Sequence, residues 1–240
     1  MSVYSNVDIL RAIEDDTIVC IPFNQKHVSE ASLDFTLGHY YYEQEAEDSN
    51  RVYNPFHKEE VSRYFKGPLQ AKPHKEWCEK NGYKLFENIP EDHPIIVLRP
   101  GERILAHTHE FVGIRAHGGA AEVKSRSSWG RNGVAICFDA GWIDPGYINR
   151  ITLEIYNLNM HESVVLPVGE RVGQLIFHGT VSPVEGDYSL GRDGMSGKYQ
   201  TSSDINTIIE QWHPEQMLPR AYKDKRQMPE KVEGLPEGTL

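Results

Sequence analysis

From Ile95 onward the chain is a series of short β-type runs, each closed by a turn signal: Ile95–Leu98 before Pro100-Gly101, then Ile104–His107, Val134–Phe138, Ile151–Tyr156, Val164–Leu166 and Val172–Phe177. Runs this short, rich in Val and Ile and separated by Gly, Pro, Asn and Asp, are too brief for ordinary helices. No helical pattern alternates with them, so a parallel α/β sheet is excluded and a barrel or sandwich is predicted. Before this region, Val7–Thr17 spaces Ile9, Leu10 and Ile13 as a helix does, and Ile18–Ile21 reads as a strand stopped by Pro22. Residues 31–42 alternate loosely through Leu33, Phe35 and Leu37 into three tyrosines, which predicts a second strand or hairpin.

Residues 44–92 differ in character. They are polar and Lys-rich, and the stretches 58–65 and 75–81 read as short helices. This segment is expected to be an insertion on a β domain spanning 1–205, with 206–240 as a C-terminal extension. After Pro183 the chain becomes polar and Gly-rich (Gly186, Gly191, Gly194, Gly197), a short helix is predicted over 205–212, and the last 20 residues read as a tail without a core. With 240 residues, 39% of them hydrophobic, there is apolar material for one sizeable core.

The net charge of −10 sets a field that repels nucleic acid and anionic membranes, so neither is an expected partner. Cys20, Cys78 and Cys137 are odd in number and widely separated, a pattern that makes no zinc spacing and no disulfide framework. With no apolar run long enough to span a membrane and no basic leader followed by an apolar stretch, a cytoplasmic, unprocessed protein is expected.

Residues 124–157 carry the chemistry. Lys124, Arg126 and Arg131 bring three cations into an acidic chain, with Ser125, Ser127 and Ser128 between them. Paired guanidinium hydrogen bonds and hydroxyls suit a polyanion, and a solvated Ser/Arg loop is the equal alternative. Trp142–Tyr147 forms a turn presenting Asp144. In the run that follows, alternation puts Thr152 and Glu154 on one face and Ile151, Leu153 and Ile155 on the other. If the isoleucine face is the core, Glu154 is an exposed charge; if its own face is closed over, it is a carboxylate able to work as a base.

The segments Ser125–Gly133, Ala140–Gly146 and Ile151–Glu154 closely resemble the dCTP deaminases of the trimeric dUTPase superfamily, in order and separation. Similar matches run through 31–38, 98–102 with Thr108 and Glu110, 168–175 and 197–200, leaving out 44–92 and the end beyond about 205. The resemblance implies a mainly β fold, a distorted β-barrel with short helices in the N-terminal segment, the insertion and the C-terminal region. It also implies a homotrimer with active sites shared between subunits.

The resemblance further implies hydrolytic deamination of dCTP to dUTP. Glu154 would take a proton from the water that attacks C4 of cytosine, while Ser127 and Arg131, with the backbone at Ala140, orient that water and the leaving ammonia. Arg126 and Ser128 would hold phosphates, Asp144 the deoxyribose 3′-OH and Thr152 the base. Gln174, Tyr188 and Lys198 would bind the triphosphate, the last two from a closing arm, with Gln200 nearby. Mg²⁺ would ride on the phosphates with no protein ligands, and no zinc is called for. Ser202 stands where the family commonly has Gln. The Ala140-Gly141-Trp142 triplet is similar to members that continue to dUMP and diphosphate. The alternatives are a dUTPase, which by the same resemblance would lack a glutamate at 154, and a non-catalytic nucleotide-binding regulator, which would have lost Glu154, Ser127 or Arg131.

His107 and His109 share a strand face but lack a third ligand in sequence, so a packing role outweighs a metal role. Trp129 and Trp142 can stack on a base or pack, with packing favoured at Trp129, and Cys137 reads as a core thiol.

Overall fold

A computed structural model of the chain describes residues 2–44, 52–189 and 197–223. The described strands form four sheets of six, three, five and three strands. Five short α-helices accompany them, at Asn6–Glu14, Lys58–Tyr64, His74–Asn81, Ser127–Arg131 and Ile205–Gln211. The fold is therefore mainly β, as expected. Its distortion takes a definite form: the strands divide among small sheets around a shared core instead of closing one ring.

That core draws on all four sheets, through Ile18, Phe35, Leu98, Ile104, Val112, Val123, Leu153, Ile155, Leu166, Leu175 and Phe177. Burying each such side chain contributes about 1.5–3 kcal/mol relative to exposure. The strand Arg171–Gly179 is central to the largest sheet, pairing with Ala120–Ser125 on one side and Ser32–Thr36 on the other. The first helix starts where the Ser5 hydroxyl and the Asp8 carboxylate cap each other's backbone N–H groups, a reciprocal cap that satisfies donors the helix itself leaves free.

Residues 31–42 do not form a hairpin. Ser32–Thr36 pairs with Arg171–Gly179, whereas Tyr40–Gln44 pairs with Phe65–Gln70 and Arg103–His107 in the five-stranded sheet. The chain crosses between sheets at Gly38, where any Cβ would run into the His107 ring. The 44–92 segment is stitched into the sheets: Phe65–Gln70 extends one, and Lys72–Pro73 joins Pro94–Leu98 in another. The expected runs at 134–138 and 151–156 appear as Val134–Ala135 and Thr152–Asn157.

Residues 205–223 are better anchored than their composition suggests. Met217 is buried in a second core with Tyr42, Val61, Phe65 and Leu105, and Tyr222 packs against the same group. Ile208 joins a third, with Val19, Phe111 and Ile148. Trp212 lies 4.5 Å from the Arg150 guanidinium and 4.8 Å from the His107 ring. The tail expectation is corrected for residues 221–223, which Tyr222 ties to the fold; the rest of it, like Gly191 and Gly194, lies outside the described residues.

His107 is structural. One ring nitrogen accepts the Tyr40 N–H at 3.2 Å and the other bonds the Thr108 carbonyl at 2.7 Å. Burial pushes its pKa down to about 3, which leaves it neutral.

Candidate active site

The strand Thr152–Asn157 alternates half-buried and buried residues along its length. Ile151, Leu153 and Ile155 enter the main core. Thr152 and Glu154 face the other way, into a cavity of about 350 Å³. The isoleucine face is thus the core, while the glutamate face forms a cavity wall together with Tyr188, Tyr199, Met217 and Pro219, and Glu154 on it is half-buried.

The strand is held in register by Arg103–His107, which sets Glu154 opposite Leu105 and Thr152 opposite His107. Its start is pinned by a hydroxyl relay. The Ile151 N–H donates to Thr108 Oγ1 at 2.9 Å, and that hydroxyl donates to the Glu110 carbonyl at 2.7 Å. The Glu110 carboxylate in turn accepts from the Thr36 N–H and hydroxyl at 2.9 and 2.8 Å. All of these groups are buried, so each bond also avoids the cost of an unsatisfied polar atom.

Asp144, Trp142 and Ala140 enter the cavity from the loop leading into the strand. That loop is fixed at Gly113, where a side chain would strike the Tyr147 carbonyl, and at Gly146, with φ 87° and Asp187 against it. Tyr147 forms the inner wall, and burial drives its phenol pKa upward. Tyr188 crosses it edge-on at 5.0 Å. Cys137 is a half-buried thiol beside the site: burial first, then the negative charge of Glu154, push it up to about 11.

Of the residues expected from sequence, Glu154, Asp144, Thr152, Ala140 and Tyr188 converge on this cavity. Ser127, Ser128, Arg126, Arg131 and Gln174 do not line it. They form a second group around helix Ser127–Arg131 and the neighbouring strand, where Gln174 lies opposite both Lys124 and Asp34. Asp34, only 3% exposed, bridges Arg126 at 3.3 Å and Arg171 at 3.2 Å. Ser127, Ser128 and Arg131 are exposed. Lys198 does not line the cavity although its neighbour Tyr199 does. Gln200 is buried, donating to the Gly146 carbonyl at 3.0 Å and accepting from the Ile148 N–H at 2.7 Å, so it fastens the arm to the Asp144 loop.

Arg103, Tyr147, Tyr199, Met217 and Pro219 also line the cavity and were not singled out in the sequence. Arg103 had a signal, since strand alternation puts it on the same face as Leu105. Met217 and Pro219 had none, because nothing local says that a polar C-terminal segment folds back.

A site of this kind, a carboxylate and a second acidic residue among aromatic rings on a β scaffold, belongs to small-molecule chemistry. The model of the dCTP deaminase-like family matches residues 3–180. A Methanopyrus kandleri protein named dCTP deaminase, dUMP-forming, is 32% identical over 83% of this chain and 91% of its own length. A Haloarcula marismortui protein named dCTP deaminase is 32% identical over 84% of this chain and 91% of its own. The crystal structure of the 2′-deoxycytidine 5′-triphosphate deaminase from Agrobacterium tumefaciens aligns with a TM-score of 0.48 and 18% identity, covering 73% of this chain and 47% of that one. The chain belongs to the dCTP deaminase-like family.

Proposed function

We propose that the protein deaminates dCTP hydrolytically and carries the product on to dUMP and diphosphate. The observation that carries this reading is the placement of Glu154 on the wall of an aromatic-lined cavity, on the same strand face as Thr152 and beside Asp144. In this reading Asp144 accepts the 3′-OH, Thr152 contacts the base, and the Glu154 carboxylate meets C4. It takes a proton from the attacking water and delivers it to N3; as the proton of the new C4 hydroxyl is then passed through the carboxylate to N4, the C4–N4 bond breaks, ammonia leaves and the C4 carbonyl of uracil remains. A positioned general base of this kind supplies about 10²–10⁴-fold in rate.

The exposed Ser127 and Arg131 complete the site from a neighbouring copy in a homotrimer, orienting water and ammonia with the help of the Ala140 backbone. Arg126, Ser128 and Gln174 from the same group hold phosphates, and Tyr188, Lys198 and Gln200 belong to the arm that closes over them. The division of these residues into two groups within one chain supports the sharing. Mg²⁺ enters with the substrate, since a hard cation is well served by phosphate oxygens and water. When bound it neutralises phosphate charge. The base in this scheme is a carboxylate, with no zinc-bound water.

The second step is favoured by the Ala140-Gly141-Trp142 triplet and by the relative from Methanopyrus kandleri whose name is dUMP-forming. Incubation with dCTP and Mg²⁺, followed by chromatography, tests the reading. Formation of dUMP and diphosphate supports both steps, persistent dUTP supports deamination alone, and unchanged dCTP, with dUTP hydrolysed in a parallel incubation, would indicate a plain dUTPase.

A further inference from the structure

A second cavity, of about 480 Å³, lies between helix Lys58–Tyr64 and the C-terminal segment that holds Leu218, Arg220 and Lys223. It shares no lining residue with the cavity of Glu154. Its charge is opposite to that of the molecule. Lys58, Arg220 and Lys223 stand on its wall with a single carboxylate, Glu215, in a chain of net charge −10. Among the described residues none of these three cations forms an ion pair. Burial and the nearby charges of Arg220 and Lys58 push the Lys223 ammonium downward, as gathered cations do to one another.

An independent feature points the same way. Tyr42 lines this cavity, is 2% exposed, and its hydroxyl is buried without a hydrogen-bond partner. Burial first, then the negative charge of Glu215, hold that phenol up to about 12, so at neutral pH it keeps its proton and is a donor without a partner. A buried polar atom left in this state costs stability until an acceptor arrives. Three cations and an orphan donor call for one ligand chemistry, an anion with several acceptor oxygens, and phosphate groups meet guanidinium and ammonium donors best. The volume is that of a small-molecule site, and Val61, Phe65 and Leu218 add an apolar wall.

We propose that this cavity is a second anion site, distinct from the deaminase cavity, which binds the polyphosphate group of a small molecule, either free or carried by a nucleotide. Its occupant would press on a residue that holds the arm. Arg220 donates from Nη1 to the Lys198 carbonyl at 2.7 Å and from its backbone N–H to Tyr199 Oη at 3.1 Å, and Tyr199 lines the first cavity.

Calorimetric titration of the full chain with inorganic tripolyphosphate, and separately with ATP, tests the proposal by stoichiometry rather than by activity. The wild type is expected to bind one more equivalent per chain than the Lys58→Glu/Lys223→Glu double variant, whose dCTP turnover without added anion stays at the wild-type level. Tyr42→Phe, which keeps the ring and removes the donor, is expected to keep the extra equivalent with affinity about 3–10-fold weaker. Tighter binding of ATP than of tripolyphosphate identifies a nucleotide as the source, and equal binding identifies the phosphate chain alone. Equal stoichiometry in the wild type and the folded double variant, with Tyr42→Phe also unchanged, would overturn the site.

Discussion

Gly197 donates its backbone N–H to the Tyr188 carbonyl at 2.9 Å, and a side chain at 197 would collide with the Tyr188 ring. The arm is thus latched onto the cavity wall by a contact that only glycine allows. Gly197→Ala is expected to open this latch at a cost of about 1–3 kcal/mol, the usual range for overpacking. Steady-state kinetics should show KM for dCTP raised about tenfold or more, with a smaller fall in kcat, because Glu154 is carried on a different element.

Asp34 is the counter-ion for Arg126 and Arg171. Asp34→Asn would leave two guanidinium groups facing each other across a buried amide. Breaking a fully buried pair costs about 3–5 kcal/mol; as both arginines are partly exposed, about 1–3 kcal/mol is expected here. Urea denaturation checks the figure, and the loss should shrink in high salt, which screens the repulsion between the two arginines.

Stability should fall as the pH drops from about 6.5 towards 4. His107 is held neutral by burial, with its pKa at about 3, whereas the unfolded chain protonates it near 6.5. The unfolded state therefore binds the extra proton first, and each pH unit in that window removes about 1.4 kcal/mol. Above pH 6.5 the contribution is fully present. His39, shifted the same way chiefly by burial, adds to the effect. In urea midpoints measured against pH, His107→Gln should be less stable at pH 7 and show a shallower slope below 6.5.

The proposed sharing of the site between copies can be read without a structure. Glu154→Gln and Arg131→Ala proteins should each be inactive alone. After unfolding and refolding together in equal amounts, about a quarter of the sites in a cyclic trimer should carry both native residues and regain activity. No recovery, from a mixture shown to have exchanged subunits, would place both residues in one chain's site.

What the sequence made legible follows the range of the forces involved. The Ile151–Ile155 alternation and the Pro100-Gly101 turn are local, and each appears where expected. The strand Ala120–Ser125 was not foreseen, because Ala-Ala-Glu-Val-Lys-Ser has little β propensity and owes its place to two strand partners distant in sequence. Phe65–Gln70 was hidden by Gly67-Pro68, which it tolerates at the edge of its sheet. Of the strand or hairpin expected over 31–42, the strand appears as Ser32–Thr36 and the hairpin does not, since pairing was decided by 171–179 and 103–107 and not by the turn between the two strands. At the site, Glu154, Asp144 and Thr152 were legible from alternation and motif. Met217 and Pro219 were not, because they reach the cavity only when Trp212 docks on Arg150 and brings the C-terminal segment back.

The role of Glu154 is tested most directly by a single-turnover reaction of the Glu154→Gln protein with dCTP and Mg²⁺, run beside the wild type at enzyme in excess of substrate. The wild type should convert dCTP to dUMP without dUTP building up. The variant should bind dCTP with near-normal affinity and deaminate it about 10²–10⁴-fold more slowly. Deamination by Glu154→Gln at a rate near that of the wild type would contradict the assignment of Glu154 as the base.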